Sequence, residues 1–344
     1  MLSNILRSTI KYSKLFYVVL LLASGTVVFS CSNKIKSTAT ANKGRIIKVN
    51  PINQADPSIF YYKGTYYLYG TNDNNSGNGF IVYSSRDMEN WKLNGQVLSK
   101  GDAFGGWGFW APQVWEYKGK FYMAYTANER ISIAESTSPL GTFKQVIKQP
   151  LQSSFRQIDP YLFIDDDGKK YLFHVRLDQG NHIYVAEMTD DFSAIKMDTY
   201  KQCITATPMT WEHVNAASAK IAEGPTVIKK DGTYYLFYSV NDFRNKDYAV
   251  GYATSNNVYG PWTRFAGNPI LHSKITGHAG SGHGDIVKGK GKKMYYVFHT
   301  HNSSDSVGPR KSAIVRIKTV KDEDGKEKFI VDNKSFRYLN FKNK

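Results

Sequence analysis

Cysteine is almost missing from this chain, with two in 344 residues, Cys31 and Cys203. If Cys31 is spent on a lipid, Cys203 has no partner, and no intramolecular disulfide is expected even in an oxidising envelope. Acidic residues are scarce, 29 against 45 lysines and arginines, for a formal net charge of +16. The excess is dispersed over turns, among them Lys63, Lys118, Lys229 and Lys293, where it solvates hairpins and blunts strand edges. The basic stripe with interleaved aromatics that a nucleic-acid surface needs is absent, so no such partner is expected. Long amphipathic helical stretches are lacking too. What is abundant is aromatic side chains, Tyr 24, Phe 19 and Trp 6. That balance describes an all-β protein.

The apolar run from Leu15 to Phe29, preceded by Arg7, Lys11 and Lys14, is too short and too one-sidedly flanked for a stable membrane span. It has the form of an export signal over residues 1–30. Its end, Val28-Phe29-Ser30-Cys31, resembles a bacterial lipobox, which implies a lipid on Cys31 and attachment to the envelope through that lipid. Residues 31–43 then form a flexible polar tether, and residues 44–344 form the folded domain. No acidic run follows Cys31, which favours the periplasmic face of the outer membrane over the cell surface. Losing the three basic residues of the signal leaves about +13 on the mature chain.

Within the domain one pattern recurs five times: ADPSIFYYKGTYYLYGT from Ala55, APQVWEYKGKFYMAYT from Ala111, DPYLFIDDDGKKYLFHV from Asp159, EGPTVIKKDGTYYLFYS from Glu223 and HGDIVKGKGKKMYYVFHT from His283. Each copy opens on a turn, runs through an apolar strand, breaks at a Gly-containing hairpin and returns through an aromatic strand. The spacing of roughly 50 to 65 residues is that of propeller blades. A second phrase, a third strand ending in Ser or Thr before a turn and an aromatic, leads to Trp91, Phe143, Phe192 and Trp262. The expected fold is a five-bladed β-propeller of four-stranded antiparallel blades, monomeric, with no further module after the fifth blade. Arg45 to Val49 is a candidate for closing the ring.

In such a ring the starts of the innermost strands converge on one axial cavity, which makes neighbours of Asp56, Asp159 and Glu223. Asp-Pro is a common turn opener, but the second copy makes the same turn with Ala111-Pro112. Three carboxylates are therefore more than the turn needs, and burying them is costly without a function. Two acids across a ring, one protonating a departing oxygen and the other activating water from the opposite side, are the equipment of inverting glycoside hydrolysis. A third nearby would raise the pKa of the acid. That chemistry requires no cofactor.

Those motifs, in this order, resemble glycoside hydrolase family 43. The resemblance implies that Asp56 in Ala-Asp-Pro-Ser is the general base, Asp159 in Ile-Asp-Pro-Tyr the pKa modulator and Glu223 in Glu-Gly-Pro the general acid. It further implies that Trp110 is a platform for the terminal sugar and that Arg310 reaches that sugar's hydroxyls. His283, taken as the fifth blade's counterpart of Glu223, would sit near a structural calcium ion on the axis, held through waters. The resemblance points to an exo-acting enzyme releasing a terminal pentose, α-L-arabinofuranose or β-D-xylose, from plant oligosaccharide. Its rivals are an endo-arabinanase or β-galactosidase-type member and a glycan-binding lipoprotein without turnover. Other features point elsewhere: Asp165 to Gly168 is a solvated hairpin turn rather than a calcium loop, Glu212 lies outside the repeated position, and at least one of His299 and His301 has a hydrogen-bonded core role.

Overall fold

The computed structural model describes residues 49–151, 154–214, 219–321, 323, 325 and 327–342. The signal, Cys31, the tether and most of the proposed closing segment lie outside them. The described chain is five antiparallel meanders arranged around an axis. Blade one runs Gln54–Tyr62, Thr65–Asn72, Gly79–Ser85 and Lys92–Ser99. Blade two runs Trp110–Tyr117, Lys120–Ala127 and Arg130–Ser136, and a single bridge between Glu135 and Lys144 stands where the other blades have a fourth strand. Blade three runs Gln157–Ile164, Lys170–Leu177, Gly180–Glu187 and Lys201–Ile204; blade four runs Lys220–Lys230, Thr233–Val240, Ala249–Ser255 and Thr263–Arg264. Blade five ends in two long strands, Lys311–Lys321 and Glu327–Tyr338, after Gly282–Lys288 and Met294–Thr300. The innermost strands pack side by side around the ring, the fifth against the first.

The aromatic second strands explain why the blades stack. Successive side chains on a strand point to opposite faces, so Tyr234 enters the core shared with blade three and Tyr235 the core shared with blade five. Phe121 and Tyr122 divide in the same way between blades one and three. Among the described residues there are accordingly five apolar cores, one between each neighbouring pair of blades. The turn aromatics have one destination each: Trp91, Phe143, Phe192 and Trp262 all pack into the interface with the preceding blade. Each fully buried ring of this kind contributes about 2 to 3 kcal/mol over exposure.

Closure uses both ends of the domain. Val49–Pro51 pairs antiparallel with Asn340–Lys342, and Ile52 continues into blade five by donating to Leu339 O and accepting from Ser312 N. Phe341 meanwhile reaches Trp91 of blade one. Among the described residues the closing pairing includes Val49, the last residue of the proposed segment Arg45 to Val49.

Candidate active site

Each inner strand is broken at the same place. Asp56, Ala111, Asp159, Gly224 and His283 all adopt left-handed backbone, φ between 42° and 58°, and the pairing with the second strand shifts register there. Such a bulge turns the side chain toward the axis and leaves the residue's N–H unpaired within its own blade. The N–H is claimed by the neighbouring blade: Ala111 N donates to Thr71 Oγ1, Asp159 N to Thr126 Oγ1, His283 N to Ser239 Oγ and Asp56 N to His299 Nδ1, at 2.8 to 3.1 Å. Thr71, Thr126, Ser239 and His299 stand at one register position of the second strand, opposite Ala55, Trp110, Glu223 and Gly282. Blade three has Val175 there, opposite Ile158, and Val175 offers no acceptor. Gly224 N instead donates to Asp159 Oδ2 at 3.2 Å. The carboxylate of Asp159 thus completes the fifth link of the ring.

This register corrects one expectation. His283 is the counterpart of Gly224, and Glu223 precedes the bulge by one residue, in line with Trp110. A residue before the bulge faces a different way from one on it. Glu223 and Trp110 accordingly reach the cavity as walls, while Asp56, Asp159 and His283 crowd its floor.

The three carboxylates, Trp110, His283 and Arg310 all line one cavity of about 880 Å³ at the axis. Asp56, Asp159, Glu223 and Arg310 are each less than one-tenth exposed, so their partners determine their charge. Asp56 Oδ2 accepts from the Thr71 hydroxyl at 2.6 Å, and Oδ1 lies 3.2 Å from Arg310 Nη1 and 3.4 Å from His283 Nδ1. Burial alone would raise the pKa of Asp56, yet Arg310 and then the two histidines hold it well below the usual carboxylate range. His283 and His299 are themselves pushed down by burial, His299 to about 4, which leaves them neutral near pH 7. His299 Nδ1 is also already accepting from Asp56 N. Arg310 is therefore the charge that keeps Asp56 ionised.

Glu223 is the opposite case. Burial raises its pKa to about 7, offset in part by Tyr248 donating to Oε1 and Asn181 donating to Oε2, both at 2.7 Å, with Asp56 adding repulsion. Asp159 is raised well above its ordinary value by burial and by the charges of Glu223 and Asp56, against the Gly224 N–H. An ionised carboxylate and a protonated one in a single cavity form a pair whose environments separate their roles.

Several residues that hold this site were not singled out by the sequence. Asp73 grips Arg310 through its backbone N at 2.7 Å, Nε at 3.1 Å and Nη2 at 2.7 Å, and Phe243 lies 4.6 Å beneath the guanidinium. Asn181 and Tyr248 come from blades three and four and carry no motif. The polar residue closing the second strand of most copies was the available signal for the bulge acceptors. Asp165 sits in its hairpin turn but is tied across blades to Lys229 at 2.7 Å and to the Tyr234 hydroxyl. Glu212 is fully buried, bound to Arg264 and Tyr238 outside the cavity. His301 Nε2 donates to the backbone carbonyl of Phe243 at 2.7 Å. As to the implied calcium, a hard cation takes six to eight oxygen ligands, whereas the axis offers an imidazole and carboxylates already committed to Arg310, Thr71 and Gly224. Among the described residues no three His, Cys, Asp or Glu side chains converge as a ligand set. These residues do not fit a directly ligated ion.

A five-bladed ring with ionised and protonated acids facing one axial cavity defines a propeller enzyme of the glycosidase kind. The profile described as Glycosyl hydrolases family 43 matches residues 49–325, and the chain belongs to that family. Among solved structures, an endo-1,4-beta-xylanase from Bacteroides thetaiotaomicron is 43% identical with a TM-score of 0.79, covering 86% of this chain and 99% of its own. A thermostable family-43 glycoside hydrolase is 36% identical with a TM-score of 0.73, covering 81% and 93%. A beta-D-galactofuranosidase of Aspergillus niger is 26% identical over 295 residues, 78% of this chain and 80% of its own. The protein is a glycosidase hydrolysing O-glycosyl bonds.

Proposed function

We propose that this enzyme releases a terminal pentose, α-L-arabinofuranose or β-D-xylose, from plant cell-wall oligosaccharide in one inverting step. Asp56 is the general base, Glu223 the general acid, and Asp159 the neighbour that orients Glu223 by accepting from Gly224 N. The observation that carries the reading is the opposed electrostatics of Asp56 and Glu223 in one cavity. Asp56 keeps its charge through Arg310 and takes a proton from water as that water attacks the anomeric carbon. Glu223 holds a proton up to about pH 7 and delivers it to the leaving oxygen as the glycosidic bond breaks. The oxygen leaves as an alcohol, the water becomes the new anomeric hydroxyl, and configuration inverts. The relatives' names, among them xylosidase/arabinosidase from Humicola insolens and from Bacteroides ovatus, support a pentose substrate. Release from a panel of nitrophenyl pentosides, with proton NMR of the first-formed anomer, tests it: a retained anomer, or release of hexose alone, overturns the reading.

Internal cleavage is the second reading, favoured by the endo-1,4-beta-xylanase at 43% identity. The commitment of Arg310 to Asp73 and Asp56 leaves it fewer donors for the hydroxyls of a terminal sugar. Product profiles separate the two, since exo action yields monosaccharide from the first turnover.

Arg310 supplies a further test. Arg310→Gln removes the charge that lowers Asp56, so the pKa of the base rises and the acidic limb of kcat/KM moves to higher pH, by about one to three units. Arg310→Lys keeps a charge and shifts the limb less. Equal displacement by both variants would contradict this role.

A further inference from the structure

We infer that Trp107 forms a sugar-binding subsite beyond the cavity, for a pyranose ring of a β-linked xylan-type chain. The inference rests on the glycosidase reading and specifies its substrate. Trp107 is 50% exposed. A lone exposed tryptophan needs no explanation, but this one is neither isolated nor loose. Its ring meets that of Trp110, a wall of the catalytic cavity, with centroids 5.9 Å apart and planes 73° apart.

The loop that presents it, Gly105 to Phe109, is fixed at several points. Gly106 N and Trp107 N both donate to Asn128 Oδ1, Asn128 N donates to Trp107 O, and Phe109 N donates to Ser76 O. Phe109 is fully buried. Gly105 and Gly108 have φ of +124° and +64°; a Cβ at Gly105 would lie 2.4 Å from that of Ala127, and one at Gly108 would lie 2.9 Å from the Trp110 ring. The backbone is thus built to hold an apolar ring at the surface, where hydration of that ring is unfavourable until something covers it.

The chemistry of the cover follows from the surface. An indole face is electron-rich and attracts the polarised C–H groups that a chair-form pyranose presents together on one flat side; a puckered furanose presents fewer in one plane. Because the two indole planes differ by 73°, one sugar ring cannot lie flat on both, so each serves a different unit of a chain. The residue after Asn128 is Glu129, whose carboxylate lies 2.9 Å from Arg156, and both line the cavity. That pair offers an acceptor and donors for the hydroxyls around the rim of a stacked ring.

The test uses Glu223→Gln to hold substrate without turnover. Its binding of xylotetraose, xylobiose and arabinotetraose is measured by titration calorimetry, with and without Trp107→Ala. The expected result is a loss of roughly tenfold for xylotetraose, the order seen when a tryptophan anchor is truncated, with a smaller loss for xylobiose and for arabinotetraose, and with Trp107→Phe keeping part of the affinity. In the otherwise unaltered enzyme, Trp107→Ala lowers the ratio of kcat/KM on xylotetraose to that on nitrophenyl xyloside by a similar factor. Undiminished xylotetraose binding, equal loss across all three ligands, or no binding of xylotetraose at all overturns the subsite. If the enzyme releases no pentose yet Trp107→Ala still weakens xylotetraose selectively, the subsite stands and the pentosidase reading falls.

Discussion

Asp56→Asn lowers kcat by about 10³- to 10⁴-fold, and does so for good and poor leaving groups alike. The amide cannot take the proton that water must lose, and neither Asp159 nor Glu223 replaces it, because burial and repulsion favour their protonated forms. The loss is chemical and not a matter of folding. Asn is isosteric, its carbonyl oxygen still accepts from the Thr71 hydroxyl, and Arg310 remains held by Asp73. Thermal unfolding with kinetics on dinitrophenyl, nitrophenyl and methyl glycosides checks this. A loss that grows steeply as the leaving group worsens would assign Asp56 to proton donation instead.

Glu223→Ala shows that steep dependence. Hydrolysis of oligosaccharide falls by about 10³-fold, whereas a dinitrophenyl glycoside, whose leaving oxygen needs no proton, loses about tenfold or less. The pH profile separates the roles further. The acid must carry its proton, so in the unaltered enzyme kcat/KM falls as pH rises through about 7, and Glu223→Ala abolishes that alkaline limb. Tyr248→Phe removes a hydrogen bond that favours the ionised form of Glu223, so the limb moves to higher pH with the leaving-group dependence preserved. An alkaline limb surviving unchanged in Glu223→Ala would place the acid elsewhere.

Much of this was legible because a propeller repeats itself. Aromatic pairs such as Tyr234 and Tyr235 fix the second strands, and the period-2 rule already sends them to opposite cores. The turn aromatics Trp91, Phe143, Phe192 and Trp262 mark four blade interfaces, and the recurrence of Asp56, Asp159 and Glu223 near strand starts is enough to gather them on one axis. The reduced fourth strand of blade two was not legible, since the aromatic Phe143 that ends the pattern is retained there. Nor was the offset of Glu223. Sequence aligns Glu-Gly-Pro with Asp-Pro by their prolines or by their acids, and the left-handed φ of Gly224 is what decides for the prolines.

The sequence by itself determined the number of blades, the faces of their strands and the identity of the three converging acids, because these follow from local periodicity copied five times. The charge each acid carries was decided by the tertiary structure alone. Arg310 lies 254 positions from Asp56 and Asp73 lies 237 from Arg310, while Tyr248 and Asn181 meet on Glu223 from different blades. Protonation in a buried cavity depends on which charges and donors lie within a few ångströms, and those neighbours are set by closure of the ring.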